Sequence, residues 1–438
     1  MAERLVNVDR ETAMLLPVDL RQWVPEDDLV HLVISAVETM TLPSLKVNTR
    51  GSGSRQYPPT MMLALLIYCY ANGVFSSRRI ERMTYRDIAV RYLTGNTHPD
   101  HDTICAFRRT NGEAVREAFV ELLRLAKGMG LMSVGTVSVD GTHIKASASK
   151  HKSVRYDRAG ELEARLREDV EQLLAQAEQS DSQGSADEQT LPQQIARRER
   201  LREKLLEARR QLEQRAAGSE AENDDDEHHG ATGSSSGDAA KVRGQQQINL
   251  TDSDSSIMRK SRRDSWEQAY NAQAVVDADG SQLVLATNVI RTPSDANELE
   301  PALESIPACV GTAKRILADG GYVNSAVFER LEDRVDLYVP IAEGDQNQRR
   351  YDFRPEKPRR HNAVVDPRLV AMKAKLATAE GRRIYAYRAK TVEPVFGTIK
   401  AALGFRQFLL RGLHNVRIEW DLVCLAYNAR RLWSLQRT

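Results

Sequence analysis

A short β-branched run, Thr136-Val137-Ser138-Val139-Asp140, stands far along the chain from the next strand-like sequence, which begins near Ala269. Any sheet built on this run must recruit its neighbours across that gap, and the intervening chain must leave the sheet and return to it. The gap has its own pattern. Leu162, Leu166, Val170, Leu173 and Ala177 recur at three and four residues, as do Leu201, Leu205, Ala208 and Leu212. A polar stretch with Ser180, Gly184, Ser185 and Pro192 divides the two series. The spacing predicts two helices folded back as an antiparallel coiled-coil hairpin. Residues 222–238, with Asp224-Asp225-Asp226 followed by Gly and Ser, predict an acidic flexible linker. His228-His229 lies in that linker and reads as solvated rather than as a metal site.

Past the gap, 269–276 alternates, 277–280 is a turn and 283–290 is a second run, so a β-hairpin is expected. A helix at 297–303, a strand at 314–319, a helix at 325–331 and a strand at 335–341 follow. After a basic, Pro-interrupted loop, 382–403 predicts one long helix in spite of Pro394, and 418–435 predicts another. The order implies an α/β protein with a mixed sheet flanked by helices. Residues 1–130 read as an all-α domain, in which Pro58-Pro59 opens an apolar helix and Asp100 to Thr103 caps a later one. The expected division is a helical domain over 1–130, a sheet domain over 131–156 and 262–438, and an insertion over 157–261.

Charge matters by segment. The 438 residues carry a formal charge of only +1, which taken whole argues against a nucleic-acid partner. Yet 157–229 holds about 20 acidic and 11 basic residues, whereas 341–438 holds about 9 acidic and 20 basic. The C-terminal quarter alone has the positive field a polyanion requires. The longest apolar run, 61–70, falls short of the roughly 20 residues of a membrane span. Four cysteines far apart, without a CxxC pair, fit neither a zinc site nor a disulfide framework, and a cytoplasmic protein is expected.

Three carboxylates stand out. Asp140 and Asp319 each end a predicted strand before a glycine, and Glu393 lies on the long helix. Carboxylates from separate elements are the hard oxygen donors that Mg²⁺ prefers, and two such ions can stabilise both oxygens of an in-line phosphoryl displacement. Taken singly, a strand-end Asp before Gly is also a common turn former. Around Glu393, Tyr385, Arg388 and Lys400 are placed to clamp phosphate and stack on a ring; an ordinary solvated helix face is the alternative. His143, on the strand of Asp140, and Trp266, at the start of the hairpin, are further candidates to line a site, Trp266 by stacking on an extruded base. Arg78, Arg79, Arg82, Arg108 and Arg109 are candidates for phosphate contact in the helical domain.

The segments Val-Asp-Gly-Thr-His-Ile-Lys-Ala at 139–146, Ala-Asp-Gly-Gly-Tyr at 318–322 and YAYRAKTVEPVFGTIK at 385–400 resemble the three catalytic blocks of bacterial DDE insertion-sequence transposases. The chain is most similar to the insertion-sequence 1182 family, within the group related to insertion sequences 4 and 5. The resemblance covers nearly the whole chain outside about 155–250. It implies a ribonuclease-H-like catalytic domain using two Mg²⁺ ions, with Mn²⁺ as a substitute. Asp140, Asp319 and Glu393 would be the DDE triad, and Tyr385, Arg388 and Lys400 would match the family's Tyr-Arg-Glu-Lys signature, whose basic members contact transposon-end DNA. Four residues separate Arg388 from Glu393, where the wider group has three. The implied partners are double-stranded DNA, as terminal inverted repeats and target, and a second copy of the chain in a nucleoid-associated homodimer. A catalytically inactive DNA-binding descendant and a nuclease without strand transfer are the alternatives.

Overall fold

The computed structural model describes residues 19–47, 56–183, 191–224, 246–259, 264–341 and 366–437. They divide into one unit made of 1–131 with 422–438 and another made of 132–421. The acidic linker at 225–245 and the basic loop at 342–365 lie outside the described residues.

The described residues of the first unit are helical: α1 (Leu29–Thr39), α2 (Pro59–Ala71), α3 (Ser77–Arg86), α4 (Ile88–Leu93), α5 (His101–Thr110) and α6 (Gly112–Gly128). Pro59 sits in the first turn of α2, where a missing N–H costs nothing. From Met62 to Ala71 every residue of α2 is buried, so its apolar run is a core helix wrapped by neighbours. No described helix is long and apolar enough to cross a membrane. Asp100 caps α5 by accepting from the Thr103 N–H at 2.6 Å.

The second unit is built on a mixed sheet. Its strands are β1 (Thr136–Lys145), β4 (Ser256–Met258), β5 (Glu267–Asp277), β6 (Val284–Ile290), β7 (Arg315–Leu317) and β8 (Asp336–Tyr338), while β2 (Ser153–Arg155) and β3 (Gln247–Asn249) pair separately. The order is β4-β5-β1-β7-β8, with β6 also on β5. β1 runs antiparallel to β5 over nine paired positions and parallel to β7 over three. Asp140 is therefore inside β1 and does not end it, as the sequence suggested. The strand continues because β5 pairs it through Lys145, but the β7 edge is paired only at Thr136, Val137 and Ser138. Asp140 thus stands just beyond the carboxyl end of a parallel pair, where open α/β sheets form a crevice. The short β3 and β4 fall within 246–258, which the sequence pattern places in the insertion.

Helices α9 (Leu299–Glu304), α10 (Ser325–Leu331), α11 (Pro367–Ala377), α12 (Ala379–Tyr385) and α13 (Tyr387–Gly397) accompany the sheet. The expected single helix over 382–403 is in fact α12, a break at Ala386, α13 and one π-helical turn at Thr398–Ala402. Pro394 lies within α13 without ending it. The C-terminal helix α14 (Leu413–Leu435) starts in this unit, where Trp420 is fully buried and donates from Nε1 to the Gln273 carbonyl at 2.9 Å.

Between β2 and β3 the chain forms α7 (Tyr156–Gln183) and α8 (Leu191–Asp224), which pack on each other. Contacts of Tyr156 with Glu213, Glu163 with Arg202 and Asp169 with Arg198 define an antiparallel arrangement. Ala159, Leu205, Ala208 and Leu212 form a buried cluster with Val154 and Ile248 of the small sheet. Leu201, placed in the seam by its spacing, is instead exposed.

Candidate active site

Arg388, near the start of α13, is the hub. Its guanidinium lies 2.8 Å from Asp140 Oδ2, 3.3 Å from Glu393 Oε1 and 3.8 Å from Asp319 Oδ2. The three carboxylates singled out in the sequence thus come from β1, from the turn after β7 and from α13, and meet around one cation. The α13 backbone is held against the sheet by the buried pair of Ser138 Oγ and Thr391 Oγ1, 2.6 Å apart. Gln282 Nε2 donates to the Lys390 carbonyl at 2.7 Å and fixes the same helix from the hairpin turn. Asp319 follows β7 and accepts from the Gly321 N–H at 2.8 Å, so its glycine serves a local turn as well.

The side chains are unequally exposed: Asp140 is 15% accessible, Asp319 41% and Glu393 57%. Burial pushes the Asp140 carboxyl up to about 6; Arg388 pulls against that shift and the Asp319 charge adds to it. For Arg388, burial works against the charge, but Asp140, with Tyr385, Asp319 and Glu393, holds its pKa above the ordinary guanidinium value. One cation thus faces three anionic groups, two of them open to solvent. Such an oxygen donor set suits a hard divalent cation. Among the described residues no three acidic, His or Cys side chains already stand at metal-ligand spacing, because the guanidinium lies between them.

Lys400 lies in the π-helical turn after α13. The π-helical turn carries it to β1, where Nζ donates to Thr142 Oγ1 at 2.6 Å and to the His143 carbonyl at 2.7 Å. Lys400, His143, Lys145, Arg259 and Arg406 line a cavity of about 460 Å³. Tyr385 packs with Leu317, Tyr338 and Ile384, and burial raises its pKa. Trp266 is 48% exposed with the Arg259 guanidinium 4.4 Å over its ring, a surface position rather than a core one. In the helical unit Arg78, Arg79, Arg82 and Arg109 are exposed. Arg108 is not available for phosphate: it is 3% accessible and donates to Tyr70 Oη at 2.6 Å and to the Phe75 carbonyl at 3.2 Å. Its place on the buried face of α5 decides this.

A second polar layer escaped sequence reasoning. Asp295 Oδ1 accepts from Asn271 Nδ2 at 2.7 Å and from Gln273 Nε2 at 2.6 Å, and the buried Tyr322 hydroxyl donates to Gln273 Oε1. This layer lies against Gly141. A Cβ there would fall 2.3 Å from Gln273 Nε2, 2.6 Å from Asn271 Oδ1 and 2.8 Å from Asp295 Oδ1. The available signal was a glycine inside a strand beside Asn271 and Gln273 on an otherwise apolar partner; nothing marked Asp295.

A mixed sheet that gathers three carboxylates beyond its parallel pair defines the class: an α/β protein with a carboxylate cluster around one arginine beyond the parallel strand pair. Comparison with known families then gives two matches, a Transposase domain (DUF772) over residues 18–110 and a Transposase DDE domain over residues 241–429. The chain belongs to the DDE transposases of the insertion-sequence type. No curated protein and no solved structure matches it. Asp319 and Glu393 fall within the DDE match; Asp140 precedes it.

Proposed function

We propose that this transposase, of the insertion-sequence 1182 kind, binds the terminal inverted repeats of its element as a homodimer, cuts the DNA there and joins the freed ends to target DNA. Asp140, Asp319 and Glu393 are the catalytic carboxylates in this reading, and they hold two Mg²⁺ ions, or Mn²⁺ in their place. The observation that carries it is the convergence of all three on Arg388 from three separate elements. The bound ions supply Lewis-acid stabilisation of the attacking and leaving oxygens.

The chain's own groups do the rest. Asp140, held by β1 and buried, is the fixed member of the triad, whereas Asp319 and Glu393 reach it from a turn and a helix. Arg388 neutralises the carboxylates, and with cations held there its guanidinium would be free to clamp phosphate. Lys400 and Arg406, at the neighbouring cavity, orient the DNA backbone. In the first step the oxygen of water attacks phosphorus, the P–O3′ bond breaks and the 3′-oxygen leaves with a proton. In the second, that 3′-hydroxyl attacks a target phosphorus and a P–O3′ bond of the target breaks, so phosphodiester bonds are conserved. Neither step requires a covalent enzyme intermediate. Arg78, Arg79, Arg82 and Arg109 provide phosphate contacts in the helical unit.

The test is to incubate the protein with Mn²⁺, labelled element ends and a target plasmid. Cut and joined product is expected. Cutting alone would make the chain a nuclease without strand transfer, and binding without cutting would make it an inactive descendant.

A further inference from the structure

The helix pair α7–α8 belongs to neither family match, since residues 111–240 lie outside both. Besides exposed Arg158, Arg165, Arg167 and Arg210, two sets stand out among its basic side chains. On α8, Arg198 faces Asp169, Arg202 pairs with Glu163 at 2.7 Å, and Arg209 lies over the Tyr156 ring. Arg215 reaches Asp254 at 3.2 Å and ties the base of the pair to the chain after β3. These cations are neutralised within the fold. The second set is not: Arg197, Arg200 and Lys204 are exposed and lack an acidic partner among the described residues.

Their spacing is that of one helix face. Positions 193, 197, 200 and 204 follow each other at three and four residues, so Gln193 and the three cations form a single stripe. Together with Ala196 and Leu201 they line a shallow groove. Glu199 and Glu203 fall on the adjoining face, and Glu207, three positions after Lys204, ends the basic run and accepts from Gln211 Nε2 at 2.9 Å. The seven steps from 197 to 204 rise about 10 Å, and a DNA strand presents a phosphate about every 3.4 Å along the axis. The stripe therefore spans about three phosphates. It lies toward the end of the pair remote from β2 and β3, roughly 15–25 Å along α8 from Glu213. The insertion's overall acidity hides this face, although α8 also carries exposed Glu199, Glu203 and Glu207.

We propose that the Arg197–Arg200–Lys204 face of α8 is a contact surface for duplex DNA, engaging backbone phosphates away from the site of cleavage. The proposal rests on the reading of the chain as a DNA-processing enzyme, and charge complementarity selects the partner. Three exposed cations at three-and-four spacing on one helix face match the regular run of phosphates along a duplex.

The full chain with Arg197→Gln, Arg200→Gln and Lys204→Gln tests it, since Gln keeps helix propensity while removing charge. Affinity for an end-containing duplex is measured against salt, with sedimentation as a parallel readout. The slope of log K against log salt should fall by up to about 2.7, or about 0.9 for each single substitution, which serves if the triple variant misfolds. An unchanged slope overturns the proposal. So does a reduced slope that appears only with a change in oligomeric state, which would assign the face, with exposed Leu201 and Leu206, to a second copy. Asp319→Asn is measured alongside: cutting by that variant would sink the catalytic reading while leaving the slope result intact.

Discussion

Arg388 and the α8 stripe show the same kind of side chain in opposite states. Arg388 is 13% accessible and faces three carboxylates, whereas Arg197 and Arg200 are exposed and face none. The difference lies in where the neighbours come from. Around Arg388 the acids arrive from β1, the β7 turn and α13, so long-range folding creates the pairing. On α8 a local three-and-four spacing sets the cations on one face, and the packing of α7 on another face leaves them open. A buried ion cluster of this kind is costly unless complete, while an exposed stripe costs the fold little. The first therefore closes on partners supplied by the fold, and the second stays open to solvent.

The comparison can be broken experimentally. The largest effect is expected from Asp319→Asn or Glu393→Gln, which should lower the cleavage rate on the order of 10³-fold or more without changing the salt dependence of DNA binding. Gel-resolved cleavage alongside a binding titration would reveal any mixing of the two roles. Next is Arg388→Ala, which leaves buried Asp140 beside Asp319 without its cation. A loss of about 3–5 kcal/mol in metal-free denaturant unfolding is expected, and Mn²⁺ should restore more stability to this variant than it adds to the parent. Equal metal-induced shifts would mean that the guanidinium and the metal do not compete for the carboxylates.

The pH dependence is the third. Because burial raises the folded-state pKa of Asp140 from 3.8 to about 6, its ionisation favours the unfolded chain. Its contribution is fully present below pH 4 and is lost as pH rises through about 6. Without metal, Asp140→Asn should be more stable than the parent by up to about 3 kcal/mol at pH 8, and the gap should close near pH 4. A gap independent of pH would place its origin elsewhere. The smallest effect is that of Gly141→Ala, whose methyl meets Gln273, Asn271 and Asp295; about 1–3 kcal/mol of destabilisation is expected. Thermal melts would check it, and a neutral result would show that the Asp295 layer can move aside.

Much of the fold was legible because its elements carry local signals. The hairpin of β5 and β6, the helix at Ser325–Leu331 and the two helices of the insertion each announce themselves by period. The three carboxylates were legible too, as acidic residues beside glycine or within a distinctive helical block. What misled was the end of each element. Gly141 looked like a stop but lies inside β1, where its missing Cβ admits a polar layer from β5. Positions 382–403 looked like one helix, but it breaks at Ala386 and ends in a π-helical turn, from which Lys400 reaches Thr142 of β1. Arg108 and Arg109 look identical in sequence, and only the packing of α5 separates a core arginine from a surface one.

The sequence by itself determined the class of the sheet, the triad candidates and the segregation of charge along the chain, since these follow from composition and short-range period. Tertiary structure alone decided how Asp140, Asp319 and Glu393 meet, with Asp140 half-buried inside β1 and the other two exposed. It also decided that Arg388 lies between them, and that Asp295 supports Gln273 and Asn271 beside Gly141. The physical reason is separation: Asp140 and Arg388 lie 248 positions apart, and no local period can specify a contact at that range. Strand pairing and burial bring those groups together, and burial then gives Asp140 a titration its sequence neighbours do not foretell.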